Sequence, residues 1–339
     1  MTPEDSILYL CCRQEFLPEH REGVGGISRQ RPVRWESLAA AAERHGVAPV
    51  VGENLRRCDA AALRIPPAVA ERLELAFFEN AVTKEREAER LAAALVRLRE
   101  VGYEAILLKG AALDLLVYRE PWVVVSRDVD LVLRPLPGRT LDPEEKAVRR
   151  ALYRSGIECD LLTHHDVTMN GVLPVRFDSV WEEARPIRFR EAEALVMGPE
   201  DLFVSLCINL CRKRFARLKG LFDVAESARL LPCLDWDRLA RRAREHGCEG
   251  IVYTALLATR ETLGVSFPAG LLDELGVSAA RAWAVRRLLR HGGGRSSVLL
   301  PYLSYRGREA WRSFRFALTH RAPEHHRGTP EQFPQEALY

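Results

Sequence analysis

Lysine is nearly missing from this chain. Of its 50 basic residues only five are lysine, at positions 84, 109, 146, 213 and 219; the other 45 are arginine. Such a bias points to codon pressure toward arginine, so a retained lysine invites a functional reason. Long hydrophobic runs are missing too. No stretch of about 20 apolar residues occurs, which argues against a membrane span. Net charge is only +3, so bulk charge gives no argument for a nucleic acid or an anionic membrane as partner. The N-terminal MTPEDSILYLCCRQEF lacks the basic start and long apolar centre of a secretory leader and reads as the first helix of a cytoplasmic protein. Eight cysteines are scattered, without metal-binding spacing. Cys207 and Cys211 stand one helical turn apart, but no second pair and no nearby histidine completes a zinc set. All eight read as reduced thiols. No GxSxG turn marks a hydrolase nucleophile, and no internal repeat appears.

What the chain does have is 339 residues, 47% of them hydrophobic, enough for a sizeable core in two or three domains. Residues 1–101 read as a helical region. VRWESLAAAAERHGVAPVVGENLRR (33–57) shows three- and four-residue apolar spacing, interrupted at Gly46 and Pro49. A longer amphipathic helix covers 80–102, and a Pro-Pro break at 66–67 lies between the two. The pattern then changes. YEAILL (103–108) reads as a buried strand and GAALDLLVYRE as a short helix. WVVVSRDVDLVL (122–133) is β-branched and strand-like. LDPEEKAVRRALYRSG carries helix punctuation, with Asp142 as cap, Pro143, Glu145 and a terminating Gly156. IECDLLTHH follows as a strand. This α/β stretch is assigned to 102–177, a C-terminal helical domain to 178–290, and a partly disordered extension to 291–339.

Chemistry concentrates where the apolar runs stop. In the strand ending SRDVDLVL, Asp128 and Asp130 share one face. Two carboxylates that close repel unless one is protonated or a cation neutralises both. Hard oxygen donors of this kind suit Mg²⁺ or Mn²⁺. A third carboxylate is offered by Glu158 or Asp160 of IECDLL. In LLKGAAL, a strand runs into a helix at Lys109–Gly110. Glycine lets the backbone approach a ligand, and the first N–H groups of a helix suit a phosphate. This is not a Walker A loop, because one glycine stands alone and no Ser or Thr follows the lysine. Together the two stretches supply a phosphate side and a metal side, the apparatus of nucleotidyl transfer. His164, His165, His325 and His326 have no metal-ligand spacing. The basic run RKRFARLK (212–219) reads as a solvated helix end.

Strand–KGAAL–helix followed by RDVDLVL resembles the nucleotidyltransferase superfamily that includes polymerase beta. More closely it resembles its bacterial, largely uncharacterised nucleotidyltransferase family. The flanks agree: WESLAAAAERHGVAPVVGENLRR resembles that family's N-terminal helical segment, and PEDLFVSLCINLCRKRFARLKGLFDVAESARLL with LDWDRLARRAREHG its helical C-terminal half. The likeness covers roughly residues 35–250. It implies an α+β fold, a small mixed-sheet nucleotidyltransferase core flanked by N-terminal and C-terminal helical regions. It implies transfer of an NMP from an NTP, ATP by family habit, with Mg²⁺ or Mn²⁺. The acceptor would be a hydroxyl, phosphate or peptide group on a small molecule or peptide, as expected of a biosynthetic enzyme; an RNA or tRNA acceptor is the less favoured case. Asp128 and Asp130 would be the metal pair, Lys109 and Gly110 would stand near the triphosphate, and Lys219 would reach it from the helical half. Lys219 and Asp223 match a basic residue and an aspartate of the family. The third carboxylate departs from the family's pattern. Aligning CDL selects Asp160, aligning IEC selects Glu158, and Asp160 is preferred. The family's arginine before the DxD is Val124 here, with Arg127 as a possible substitute. A catalytically weak nucleotide-binding or scaffold relative is the alternative reading.

Overall fold

The computed structural model describes residues 1–126, 129–136, 146–156, 159–161, 177–291, 300–301 and 303–304, without the side chains of 60–61, 146–147, 149, 159–161, 177 and 290–291. Six helices come first: α1 (Pro3–Cys11), α2 (Pro18–Gln30), α3 (Trp35–His45), α4 (Ala48–Arg56), α5 (Ala60–Leu63) and α6 (Pro67–Glu100). Thr2 and Asp5 form a reciprocal capping box on α1. Gly46 ends α3 in the left-handed region (φ 73°), and Pro49 falls in the first turn of α4, where its missing N–H costs nothing.

The Pro-Pro pair does mark a break, between α5 and α6. The second helix starts earlier than expected: Pro66 is extended and Pro67 opens one continuous helix of 34 residues, because proline fits the first turn of a helix. The buried stripe of α6 includes two polar residues, Asn80 and Lys84, and both have partners. Asn80 Nδ2 donates to the carbonyls of Trp122 (2.7 Å) and Val124 (3.1 Å). Lys84 Nζ donates to Asp114 (3.0 Å).

These bonds explain a second difference from expectation. The stretch 122–126 is not strand. Besides Asn80's bonds to it, Val123 accepts from Val50 N and Val125 N donates to Gly46 O. Its backbone groups are taken by the N-terminal helices, and among the described residues ladder pairing starts at Val129.

Among the described residues the sheet has five strands, β1 (Tyr103–Leu107), β2 (Val129–Pro135), β3 (Cys159–Leu161), β4 (Arg185–Phe189) and β5 (Ala192–Val196), in the order β3-β2-β1-β5-β4. β1 runs antiparallel to β2 and parallel to β5; β2 and β3 are parallel. Between β1 and β2 lies α7 (Lys109–Leu116), and α8 (Lys146–Ser155) precedes β3. The hairpin β4–β5 corrects the expected all-helical character of residues 178–290, since two of the sheet's strands come from that segment. Mostly helical and built on this small mixed sheet, the fold is α+β. α8 ends at Gly156 (φ 64°) as expected, whereas its expected cap at 142–145 lies outside the described residues.

Helices resume with α9 (Phe177–Glu182), before the hairpin, then α10 (Pro199–Arg212), α11 (Leu218–Leu230), α12 (Trp236–Glu245), α13 (Glu249–Leu263), α14 (Leu271–Glu274) and α15 (Ala279–His291). None of the described helices is long and apolar enough to cross a membrane. None of the described cysteines is in a disulfide.

Part of the expected C-terminal extension packs on α13: Leu300 and Ser304 are buried, and Ser304 Oγ donates to Thr254 Oγ1 at 2.9 Å. A Cβ at Gly250 would sit 2.5 Å from the Ser304 carbonyl oxygen. Gly250→Ala is therefore expected to cost about 1–3 kcal/mol and to speed proteolytic cleavage near 300–304. Chemical denaturation and limited proteolysis check both.

Candidate active site

A cleft of about 460 Å³ opens where α3, the 125–126 segment, α7, β2, α10 and α11 meet. On one wall stand Lys109, Gly110, Ser126 and Asp130, and on the other Lys213, Arg217, Lys219 and Asp223. The apolar run of β1 brings Lys109 to this place. Register pairs Leu107 with Leu131 across β1 and β2, which sets Lys109 close to Asp130. Lys109 Nζ donates to Asp130 Oδ1 at 2.7 Å. Asp130 is buried, so its carboxylate needs a cationic partner, and the ammonium of Lys109 supplies one. Lys109 also holds φ at +47°, a region a lysine rarely enters. Backbone strain of this kind costs about 1–3 kcal/mol and concentrates at functional positions.

Gly110 answers a packing need. A Cβ there would come within 2.6 Å of Ser126 Oγ and 3.3 Å of its Cβ. The glycine lets the 125–126 segment close over the start of α7, whose N-cap residue, Leu108, makes no side-chain cap. Gly110→Ala must push Ser126 aside. It is expected to lower activity about tenfold by misplacing ligand groups while shifting the melting temperature by no more than a few degrees; steady-state kinetics beside a thermal melt reads both.

The opposite wall is fixed by a buried polar network. Lys219 Nζ donates to Asp223 Oδ2 at 2.8 Å, one helical turn on. The other oxygen of Asp223 accepts from Tyr118 OH. Burial, reinforced by Asp223, pushes the Tyr118 phenol well above its usual range, so it stays a donor. Behind α7, burial raises the Asp114 carboxyl against the pull of Lys84. Gln14 joins the N-terminal helices to the same network. Its Nε2 donates to Glu226 Oε2 at 3.1 Å, and its Oε1 accepts from Arg119 N at 2.7 Å. α7, α11 and the N-terminal region are thus tied together around the cleft.

α11 also begins at the cleft without a cap from its own N-cap residue. Its first N–H, from Leu218, is accepted by His45 Nδ1 at 3.3 Å. Burial, with Arg44 and Arg217 nearby, lowers the His45 pKa, so the ring is neutral at neutral pH and keeps that lone pair. Arg212, Lys213, Arg214 and Arg217 of the basic run 212–219 are exposed, as a solvated helix end would be. Lys213, Arg217 and Lys219 nevertheless line the cleft.

The cleft thus brings together Lys109, Gly110, Asp130 and Lys219 of the expected residues. Asp160 stands opposite Asp130 in the β2–β3 register. Arg127, Asp128 and Glu158 lie outside the described residues, as does the side chain of Asp160. Among the described residues no group of three or more His, Cys, Asp or Glu could hold a metal ion. Sequence reasoning missed Ser126, His45 and Arg217 as lining residues. The scarcity of lysine was the usable signal for Lys84 and Lys213.

Hydrogen-bond donors and cations on two walls, with a buried carboxylate on each, suit a polyanion that arrives with a divalent cation. Comparison with known proteins agrees in class. No curated protein and no solved structure matches the chain. The family described as "Uncharacterised nucleotidyltransferase" matches residues 31–264, the helical flanks and the sheet alike. The chain belongs to this uncharacterised nucleotidyltransferase family.

Proposed function

We propose that the chain moves an NMP from an NTP, ATP by default, to a hydroxyl, phosphate or peptide acceptor and releases pyrophosphate. The observation that carries this reading is the Lys109–Asp130 pair, held at 2.7 Å on one wall of a cleft whose other wall presents Lys219. Lys109 and Lys219 offer ammonium groups to the triphosphate. Backbone N–H groups at the start of α7 supplement them where Gly110 leaves the backbone open.

The donor set fits Mg²⁺ or Mn²⁺: Asp130 is a buried hard-oxygen donor already holding a cation, and Asp160 is its neighbour in register. Asp128, Asp130 and a third carboxylate would hold the ion. When bound, it supplies charge neutralisation at the triphosphate and a lowered pKa at the acceptor hydroxyl. The register, which sets Asp160 opposite Asp130, supports Asp160 as that third carboxylate, and Asp160 is the group assigned to take the acceptor's proton. The cleft walls orient the reactants and keep water from the phosphorus.

The test uses NTPs labelled on the α or the γ phosphorus, offered with Mg²⁺ to small-molecule, peptide and RNA fractions. Nucleotidyl transfer puts α label on the acceptor and γ label in pyrophosphate. Transfer of γ label to the acceptor would instead make the chain a kinase. Asp160→Asn should lose activity where Glu158→Gln keeps it; the reverse outcome reassigns the third carboxylate.

A further inference from the structure

The middle of α6 carries a face that the described residues leave uncovered. Leu75, Phe78 and Val82 are 57%, 55% and 51% exposed. Their spacing of three and four residues puts them on one helical stripe. An apolar groove of about 300 Å³ between α4 and α6 borders the stripe, and Leu55, Leu73 and Phe77 help to line it. Exposed large side chains scattered singly need no explanation, but a contiguous stripe beside a groove marks an interaction surface.

The charges around the stripe select its occupant. Glu71 stands four residues before Leu75, and Arg86 four residues after Val82, both on the same stripe. Their neighbours Arg72 and Glu85 are held by Glu43 and Arg190. Glu71 and Arg86 have no such ion pair among the described residues. The pattern Glu–Leu–Phe–Val–Arg is complementary to itself when reversed. An antiparallel copy of α6 sets Leu75 against Val82 and Glu71 against Arg86, and does so twice about one two-fold axis. A closed, self-complementary contact is what a two-fold dimer requires.

We propose that α6 is a dimerisation helix, and that a second copy of this chain covers Leu75, Phe78 and Val82 with Glu71 paired to Arg86 of its partner. The contact would also bear on the cleft, because the same helix holds the 122–124 segment through Asn80 and α7 through Lys84.

Sedimentation equilibrium of the full chain tests this. The wild type is expected to dimerise. Glu71→Arg alone and Arg86→Glu alone each place like charges together at both symmetric contacts, and each should weaken the dimer about tenfold. The double reversal restores both pairs and should recover the wild-type affinity. Phe78→Asp should weaken association about a hundredfold or more, with an unchanged circular dichroism spectrum because the side chain is exposed. A wild-type chain that stays monomeric at its highest soluble concentration overturns the proposal, and the face then belongs to the chain's own C-terminal residues or to another protein. A dimer indifferent to all these changes also overturns it, since it uses another surface.

Discussion

Asp130→Asn should reduce nucleotidyl transfer by about a thousandfold or more and leave the chain folded. Asp130 is the buried carboxylate nearest the phosphate side of the cleft, and its 2.7 Å contact with Lys109 shows that the site already holds a positive charge there. Asparagine keeps the shape and one acceptor oxygen but loses the charge that would bind a divalent cation. Lys109 is less buried than its partner, so its ammonium can turn to solvent when the carboxylate is gone. The stability cost is therefore expected to be small, about 1 kcal/mol. The expected signature is a large fall in kcat with little change in the melt. A variant that keeps wild-type turnover would remove Asp130 from the metal side of the site. A variant that unfolds would mean that the ion pair serves architecture first.

Lys84→Met should produce the largest stability loss, about 3–5 kcal/mol at pH 8. Lys84 is buried and pairs with Asp114, whose second oxygen is buried without a hydrogen-bond partner. Removing the ammonium leaves a desolvated carboxylate with no adjacent cation except the influence of Lys219. The loss depends on pH in a defined direction. Burial already raises the Asp114 carboxyl, so the stability linked to its proton is fully present below the pKa of the unfolded group, about 3.9. That contribution is lost as pH rises through the folded value. Losing Lys84 raises the folded value further. The gap between variant and wild type should therefore be widest at pH 8 and narrow toward pH 5, as urea unfolding at the two pH values would show. Lys84→Met with Asp114→Leu removes both charges and should recover much of the loss. A single variant with the same deficit at both pH values would point to lost packing of the lysine stem instead.

The parts of this fold legible in the sequence are those where local chemistry and tertiary context agree. Strand β1 and its turn into α7 could be read because Gly102 and Gly110 bracket a short apolar run. α1 begins at a capping box and α8 ends at Gly156, both local signals. The hairpin β4–β5 could not be read. Pro186 and the charges at 188, 190, 191 and 193 break the alternation, and β4, an edge strand, is mostly exposed. The stretch 122–126 carries strand propensity, yet Asn80, Val50 and Gly46 claim its backbone.

The candidate site divides the same way. Lys109, Gly110 and Asp130 could be chosen from their places at the ends of apolar runs. Lys213 and Arg217 could not, because a basic turn looks the same whether it faces water or a cleft. Both stay exposed in the fold, and only the folded arrangement sets them along the cleft. The bias against lysine carried more information than its use for Lys109 and Lys219 suggested. Lys213 shares their cleft and Lys84 stands just behind it.

The central claim is that this cleft takes a nucleoside triphosphate together with a divalent cation. Calorimetric titration of the full chain with each of the four NTPs, with and without Mg²⁺, tests it most directly. The account predicts one binding site with a dissociation constant in the range of about 1 μM to 1 mM, dependent on Mg²⁺ and lost or much weakened in Lys109→Ala and Lys219→Ala. Folded protein that takes up none of the four NTPs in the presence of Mg²⁺, or that binds one equally well after both lysines are removed, would contradict it.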